Sequence, residues 1–385
     1  MEKLKINSDD SPHYDLEISE KNKILFAVVF MLFINGYLSG GSSITFLNIL
    51  SQGLVYACIS MMVLRICVDT LIKKQTAWQI FSTIMLLIIA TTGKGVVAFT
   101  VFIILGIYLI SVDDVDILNV YRWTVTIGLI CCVVLSVIGI TPSFSNEGLV
   151  TFGYNNQNSI ALYFITATML WIRSIKSIML MFIYVIAVII ECVILNFYWH
   201  NVTGIWMLIG YIGLLAFLKM QAWKYVKFLG MIVPVLCFLF VVGVGHYYSE
   251  ISGLESFNEF LNQRPLIWNE YLSKAGFNIF GASTDVKEAF FGPIDGAYLS
   301  MPLQFGIIWT IFVLFSLCRL NFVLGKQKNW EMLALAIIME ISGISEGRLM
   351  VIYATPIAVL AIKYVCVSSK TPTVRNDVNK QLIVI

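Results

Sequence analysis

The chain has 385 residues, of which 59% are hydrophobic and 12% charged, and its formal net charge is +2. Soluble globular proteins carry about 25% charged residues, so this composition excludes an ordinary soluble domain and indicates an integral membrane protein. The basic residues are dispersed along the chain rather than gathered in one patch, which excludes a nucleic-acid partner.

Apolar runs close to the length that crosses a bilayer recur along the whole chain. They are apolar on every face, as in MIVPVLCFLFVVGVG, and lack the alternation of a transmembrane strand. The sequence therefore predicts an all-α membrane helix bundle of about twelve transmembrane helices. The predicted spans cover residues 24–40, 44–66, 77–93, 95–112, 121–141, 158–173, 177–199, 202–219, 228–246, 298–318, 329–345 and 348–367.

The basic residues also predict an orientation, because Lys and Arg are retained mainly on the cytoplasmic side. With the N-terminus inside, most of the 25 Lys and Arg residues fall on the inner face. We therefore expect a cytosolic N-terminal tail over residues 1–23, a single transmembrane domain over 24–367 and a cytosolic C-terminal tail over 368–385.

One long polar segment, residues 246–297, separates the ninth and tenth spans and is predicted to lie outside. Loops of this length usually carry function. Within it, NQRPLIWNEYLSKAGF predicts a short amphipathic helix, with Pro265 in its first turn and Gly276 as its stop. Arg264 stands at the start of this helix, where a snorkelling arginine at the membrane interface is an equal alternative to a functional one. Asp295 stands near the end of the segment.

Two further segments on the predicted outer face are unusually polar. TFGYNNQNSIALYF, residues 151–164, places Asn156 and Asn158 ahead of the sixth span, where they suit sugar hydroxyls or, alternatively, cap the next helix. ISGISEGRLMVIY, residues 341–353, places Glu346 and Arg348 in a tight break between the last two spans. Charges at such a depth usually face a cavity or each other, so a local ion pair is the alternative.

Metal binding finds little support in the sequence. Asp114 and Asp116 have the Asp-x-Asp spacing of many sugar-nucleotide transferases, but the predicted topology puts them in an inner loop, where a solvated acidic loop is favoured. The Cys and His residues show no metal-ligand spacing. We therefore expect no metal and no cofactor.

Four stretches resemble motifs of the O-antigen ligase and polysaccharide polymerase superfamily of bacterial multi-pass membrane proteins. RPLIWNEYL followed by NIFGAS is similar to an arginine ahead of an aliphatic–Trp pair and then a glycine-containing turn. DGAYLSMPLQFGIIW is similar to a His or Asp, a small residue, nine residues and a glycine, here Asp295, Gly296 and Gly306. FGYNNQNSIALY matches a Gly, aromatic, variable pair and Asn pattern at Gly153, Tyr154 and Asn158.

The fourth stretch, HNVTGIWML, resembles a Ser-Arg-Thr-Gly segment, retaining Thr203 and Gly204. Val202 stands where that segment has arginine, which removes one phosphate-binding cation and shifts the expected role to Arg264 and Arg348. Asp295 in place of the His frequent among the ligases favours a polymerase.

The resemblance implies a glycosyltransferase that polymerises undecaprenyl-pyrophosphate-linked repeat units into a surface polysaccharide, such as O-antigen, capsule or exopolysaccharide, on the outer face of the bacterial cytoplasmic membrane. Its implied partners are the lipid-linked oligosaccharide donor and acceptor and the lipid bilayer, with a chain-length regulator protein as a further candidate. Ligase-type transfer to a lipid or wall acceptor stays open as an alternative. A lipid-linked oligosaccharide flippase or transporter is the other, although no internal repeat is evident.

The resemblance also assigns roles to residues. Asp295 is expected to take the proton of the acceptor hydroxyl, with helix capping as its alternative role. Arg264 and Arg348 are expected to stabilise the departing pyrophosphate, because guanidinium groups stay charged and match phosphate oxygens. The expected substrate-binding residues are Asn156, Asn158, Tyr154, Tyr298, Trp268, Glu346 and Thr203.

Overall fold

Inside a membrane no water is available to hydrogen-bond the backbone N–H and C=O groups. An α-helix pairs these groups internally, so the apolar runs form helices. The computed structural model describes residues 11–41, 45–72, 96–144, 148, 150–154, 157–172, 178–220, 223–248, 254–281, 296–350 and 355–366. Across these ranges the secondary structure is helical apart from one isolated β-bridge, between Phe144 and Val150. The predicted all-α class is confirmed for the described chain.

The described ranges contain fourteen α-helices. In chain order they are α1 (Ser11–Gly41), α2 (Thr45–Ile72), α3 (Val96–Tyr108), α4 (Asp114–Val137), α5 (Gln157–Ile172), α6 (Ile178–Phe197), α7 (Val202–Lys219), α8 (Trp223–Tyr247), α9 (Leu254–Phe260), α10 (Arg264–Ala275), α11 (Ala297–Ser300), α12 (Ile307–Gln327), α13 (Trp330–Ser342) and α14 (Ile357–Cys366).

The chain is an all-α membrane protein. By length and composition, six helical segments in the described ranges are able to cross a membrane, and α5 and α6 contain shorter apolar helices. The six are Glu20–Leu38, Ile49–Val68, Asp114–Val137, Val202–Lys219, Leu229–Tyr247 and Ile307–Gln327.

Several predicted boundaries differ from those of the helices: α4 begins at Asp114 rather than at 121, and α14 begins at Ile357 rather than at 348. The span predicted at 77–93 lies outside the described residues. The predicted N-terminal tail is helical from Ser11 onward. The tenth span, predicted at 298–318, is shifted, because α12 begins only at Ile307. Gly306, with φ of +96°, breaks the chain between α12 and the short helical segment before it.

Two short helices lie at the centre of the bundle. α13 packs against α7, α8 and α12, whereas α14 packs against α3 and α12. Nearly all of their side chains are buried, as expected for helices that are apolar on every face. The close approach of α3 to α14 depends on Gly106, where an added Cβ would lie 2.4 Å from Cγ2 of Ile362.

A buried ion pair ties α14 to the start of α4. The Lys363 ammonium donates to Asp114 Oδ1 at 2.7 Å and to the Val112 carbonyl at 2.6 Å, and the Tyr364 hydroxyl donates to the other carboxylate oxygen. The interpretation of Asp114 as part of a solvated acidic loop is therefore wrong, because it is only 8% exposed and has a lysine partner.

Truncation of Asp114 tests this ion pair. Asp114→Ala leaves the Lys363 ammonium buried without its counter-charge, so we expect the free energy of unfolding to fall by about 3–5 kcal/mol. Denaturant unfolding of the purified protein in detergent measures it. Glu331→Ala is the matched control, since the Lys219–Glu331 pair is 54% and 33% exposed and should contribute about 0–1 kcal/mol. Equal losses in the two variants would contradict the assignment.

Candidate functional site

The short helix predicted within the long polar segment is confirmed as α10. Pro265 occupies its first turn, where the missing N–H is not needed, and Gly276 follows its last residue with φ of +61°. Asn258 binds the start of α10 through two hydrogen bonds. Its side-chain Oδ1 accepts from the Leu266 amide at 3.0 Å, and its carbonyl accepts from the Gln263 amide at 2.7 Å.

One face of α10 lies across the end of α8. Trp268 is fully buried and packs edge-to-face on Phe240 of α8. Its Cβ would lie 2.9 Å from a Cβ added to Gly245, so only a glycine allows the two helices to approach this closely. Asn269 donates to the Gly245 carbonyl at 2.8 Å. These contacts hold α10 in a defined orientation on the bundle, which fixes the direction of its first residue, Arg264.

Arg264 forms an ion pair with Glu346, which follows α13. The distance from Nη2 to Oε1 is 3.6 Å, and the two side chains are 11% and 12% exposed. A snorkelling arginine keeps its charged group in water, so this burial contradicts the snorkelling alternative. The long polar segment and the break between the last two helices therefore meet at this pair.

The backbone of Gly296–Tyr298 contacts the turn that carries Glu346. The Ala297 amide donates to the Gly343 carbonyl at 2.8 Å and to the Glu346 carbonyl at 3.2 Å. Gly296 has φ of +101°, and an added Cβ would lie 2.6 Å from the Ile344 carbonyl oxygen. Only glycine combines this conformation with so close an approach. Gly296 is also the N-cap residue of α11.

Gly306, the second glycine of the DGAYLSMPLQFGIIW stretch, also lies in close contact with another segment. The Ile307 amide donates to the Asn278 carbonyl at 3.0 Å, and a Cβ added to Gly306 would lie 2.4 Å from the Ile279 carbonyl oxygen. The NIFG turn after α10 is thus pinned to the break before α12. The NIFG and FGIIW parts of the resembling stretches are therefore in contact with each other.

On α10, two hydrogen-bond donors have no partner within the described ranges. They are Nε of Arg264 and Nε1 of Trp268, both enclosed by protein. Buried polar groups in native proteins are nearly always paired, so two orphan donors on one helical turn require an explanation. A ligand rich in acceptor oxygens would satisfy them. We define the candidate site as Arg264, Trp268, Glu346 and the backbone of Gly296–Tyr298.

Tyr298 forms the floor of the candidate site. Its side chain is fully buried, and its ring packs so closely that a Cβ added to Gly343 would lie 3.0 Å from Cε2. Its hydroxyl points into the bundle beside the Cys237 thiol. Tyr298 thus supports the candidate site from below rather than presenting a ring at its surface.

The other two resembling stretches, FGYNNQNSIALY and HNVTGIWML, form a second polar cluster at the starts of α5 and α7. Asn201 donates to Asn158 Oδ1 at 3.4 Å and caps α7 by accepting from the Gly204 amide at 2.6 Å. Thr203 lies in the first turn of α7 and is half-buried. Tyr154 packs against the rings of Tyr37 and Tyr163. The two stretches that contribute to this cluster are far apart in sequence but adjacent in the fold.

Three of the predicted site residues lie wholly or partly outside the described residues. Asp295 and Asn156 lie outside the described residues. The backbone of Arg348 forms part of a 3₁₀ turn over Gly347–Met350, and its side chain is also outside the described set. Their predicted roles stay predictions.

Sequence reasoning missed the residues that hold the candidate site together. Asn258 and Gly343 contribute a capping group and a backbone acceptor to its two halves. Neither gave a local signal, because Asn258 lies within the preceding helix rather than at the N-cap position of α10, and a glycine after an apolar helix gives no indication of what it contacts.

Comparison of the chain with protein-family models, with curated proteins and with solved structures finds no match. The contacts of the candidate site therefore carry the functional inference.

Substitution of Gly296 tests the backbone contact that closes the candidate site. Gly296→Ala forces a side chain against the Ile344 carbonyl in a conformation that costs about 1–3 kcal/mol for non-glycine residues. We expect hydrogen exchange in peptides covering 296–305 to accelerate by roughly 5- to 150-fold. Gly347→Ala is the control, because its added Cβ meets nothing within 4 Å. Equal exchange in both variants would mean that the tight approach at Gly296 is not required.

Proposed function

We propose that this chain is a metal-independent glycosyltransferase of the O-antigen ligase and polysaccharide polymerase type. In this proposal it joins oligosaccharide repeat units carried on undecaprenyl pyrophosphate, on the outer face of the bacterial cytoplasmic membrane. The proposal includes twelve transmembrane helices, cytosolic termini and an external position for residues 246–297. The donor and acceptor glycolipids, the bilayer and a chain-length regulator are its proposed partners.

The observation that carries the proposal is the meeting of Arg264 with Glu346 and the Gly296–Tyr298 backbone. Three segments that were proposed from sequence to share one site converge there. A buried guanidinium with an orphan Nε–H, four residues before a tryptophan with an orphan indole N–H on the same helix, suits the oxygens of a diphosphate. Glu346 would hold the guanidinium in place while leaving its other N–H groups directed at a ligand.

The proposed reaction breaks the bond between the anomeric carbon and a phosphate oxygen, whose electron pair departs with the pyrophosphate lipid. The acceptor hydroxyl oxygen forms the new bond to that carbon, and its proton passes to a base. We assign Arg264 to the growing negative charge on the leaving group, since a preorganised charge in a water-poor site stabilises it strongly. Arg348, two residues beyond Glu346, is assigned the same task.

Asp295 is the proposed base. It directly precedes Gly296, whose backbone is anchored to the turn that carries Glu346. A carboxylate assists an alcohol whose proton must leave as the new bond forms. Asn156, Asn158, Tyr154 and Thr203 are assigned to sugar binding in this proposal.

Replacement of Arg264 tests the proposed leaving-group role. Arg264→Ala should lower polymer formation by about 10²- to 10³-fold, the loss typical of removing one preorganised donor. Arg264→Lys should recover only part of this loss, because a lysine lacks the forked geometry. Lys274→Ala is the control, since Lys274 lies on the same helix but is 51% exposed. The measurement is glycolipid and polysaccharide analysis of cells that express each variant at equal levels.

The identity of the accumulated product separates the proposed polymerase from its alternatives. A polymerase defect leaves lipid-linked single repeats on the outer leaflet and a single repeat on the final acceptor. A ligase defect instead leaves free polymer that never reaches its acceptor, and a flippase defect leaves repeats on the inner leaflet. Either of the last two outcomes, or an unaltered product in Arg264→Ala, contradicts the proposed polymerase.

A further inference from the structure

A polar cluster lies inside the bundle beneath the candidate site. Glu340 of α13 is 0% exposed, and its Oε2 accepts from Asn321 Nδ2 of α12 at 2.8 Å. Asn321 Nδ2 also donates to the Gly230 carbonyl of α8 at 3.1 Å. Three helices therefore meet at one carboxyl group and one amide, in a region otherwise packed with apolar side chains.

Glu340 has no counter-charge in the described ranges. None of the salt bridges found there includes it, and its one hydrogen-bond donor is a neutral amide. An ionised carboxylate in such surroundings is strongly unfavourable, and intramembrane acids normally have a partner. Its negative charge must therefore be cancelled by something bound at the carboxyl group, either a proton or a metal cation.

Two buried oxygens that lack a hydrogen-bond partner distinguish a bound proton from a bound metal cation. Glu340 Oε1 and Asn321 Oδ1 are both buried, and within the described chain neither has a hydrogen-bond partner. Both are acceptors as long as Glu340 is ionised, so neither is able to satisfy the other. A single proton on Oε1 turns it into a donor, and the acid and the amide are then able to pair through two hydrogen bonds.

The surroundings favour a proton over a metal cation. The titratable groups that interact electrostatically with Glu340 are the Cys237 thiol of α8, the Cys318 thiol of α12 and the Tyr298 hydroxyl of α11. Hard cations such as Ca²⁺ and Mg²⁺ require about six or more oxygen ligands. Glu340, Asn321 and Tyr298 supply too few, and the two thiols are poor ligands for such ions.

We propose that Glu340 is a buried proton-binding site whose proton, donated from Oε1 to Asn321 Oδ1, holds the floor of the candidate site in place. Glu340 is a positioning residue in this proposal. Its helix, α13, ends at Ser342, beside the Gly343 carbonyl that binds the Ala297 amide. Tyr298, the next residue after Ala297, reaches down to the same cluster. Loss of the proton would place an uncompensated charge beneath both halves of the floor.

Glutamine mimics the protonated acid, which makes the proposal testable without any assay of activity. In Glu340→Gln, the side-chain amide donates to Asn321 Oδ1 and accepts from Asn321 Nδ2, so the thermal unfolding midpoint of the purified full-length protein should stay unchanged. In Glu340→Ala, both hydrogen bonds are lost and the midpoint should fall by several degrees. If Glu340→Gln is as destabilised as Glu340→Ala, the proposal is overturned.

Infrared spectroscopy detects the proton itself. At neutral pH the wild-type protein should show the C=O stretch of a protonated carboxyl group that shifts in D2O and is absent from Glu340→Gln. Glu191→Gln is the control, because Glu191 is another largely enclosed acid, whose Oε2 accepts from Thr168 Oγ1 at 2.6 Å, and the Glu340 band should survive its removal. Identical carboxyl bands in wild type and Glu340→Gln would overturn the proposal. So would stabilisation by Na⁺ or K⁺ that requires Glu340. These readouts keep failure of the proton site distinct from failure of the proposed enzymatic function.

Discussion

The ion pair between Arg264 and Glu346 is the interaction on which the candidate site depends. A guanidinium enclosed by protein needs an opposite charge, and the carboxylate that supplies it comes from a distant part of the sequence. This requirement draws α10 onto the turn after α13. Once α10 is there, Arg264 and the Gly296–Tyr298 backbone both contact the turn that carries Glu346. Without the pair, α10 would keep its packing against α8 and the anchoring of the NIFG turn that follows it, but would lose its contact with the turn after α13.

The polar groups beneath this pair change from charged to neutral with depth. Arg264 and Glu346 carry full charges at the end of the bundle, Tyr298 carries a hydroxyl below them, and Glu340 lies deepest, where we assign it a proton. This order follows the falling ability of the surroundings to solvate charge. Tyr298 joins the two levels, because its backbone belongs to the candidate site and its hydroxyl belongs to the buried cluster.

Sequence reasoning succeeded where a local signal was sufficient. The apolar runs indicated an all-α membrane protein, and Pro265 and Gly276 marked the two ends of α10 within the long polar segment. It failed where the deciding contact is distant in sequence. The MPLQF residues before Gly306 resembled the start of a span, whereas the break there depends on the Ile279 carbonyl. The burial of Asp114 depends on Lys363 in the last helix.

The candidate site shows the same division. The charged and glycine-containing stretches were identifiable from their types and spacing, and Arg264 with Glu346 was found among them. Their pairing was not predictable, because nothing local to either residue specifies the other. Glu340 was not singled out from the sequence, although an acid within an apolar helical run suggests a functional group. Its partner Asn321 lies in another helix and became apparent only through the fold.

The most direct test of the account is a double-mutant cycle between Arg264 and Glu346. Arg264→Gln, Glu346→Gln and the double variant are purified in detergent, and the free energy of unfolding is measured for each. The account predicts a coupling energy of about 0.5–3 kcal/mol, with the double variant less destabilised than the sum of the single variants. Strictly additive effects would contradict it, because they would mean that the two charges do not interact and that α10 is not held at this turn by the pair.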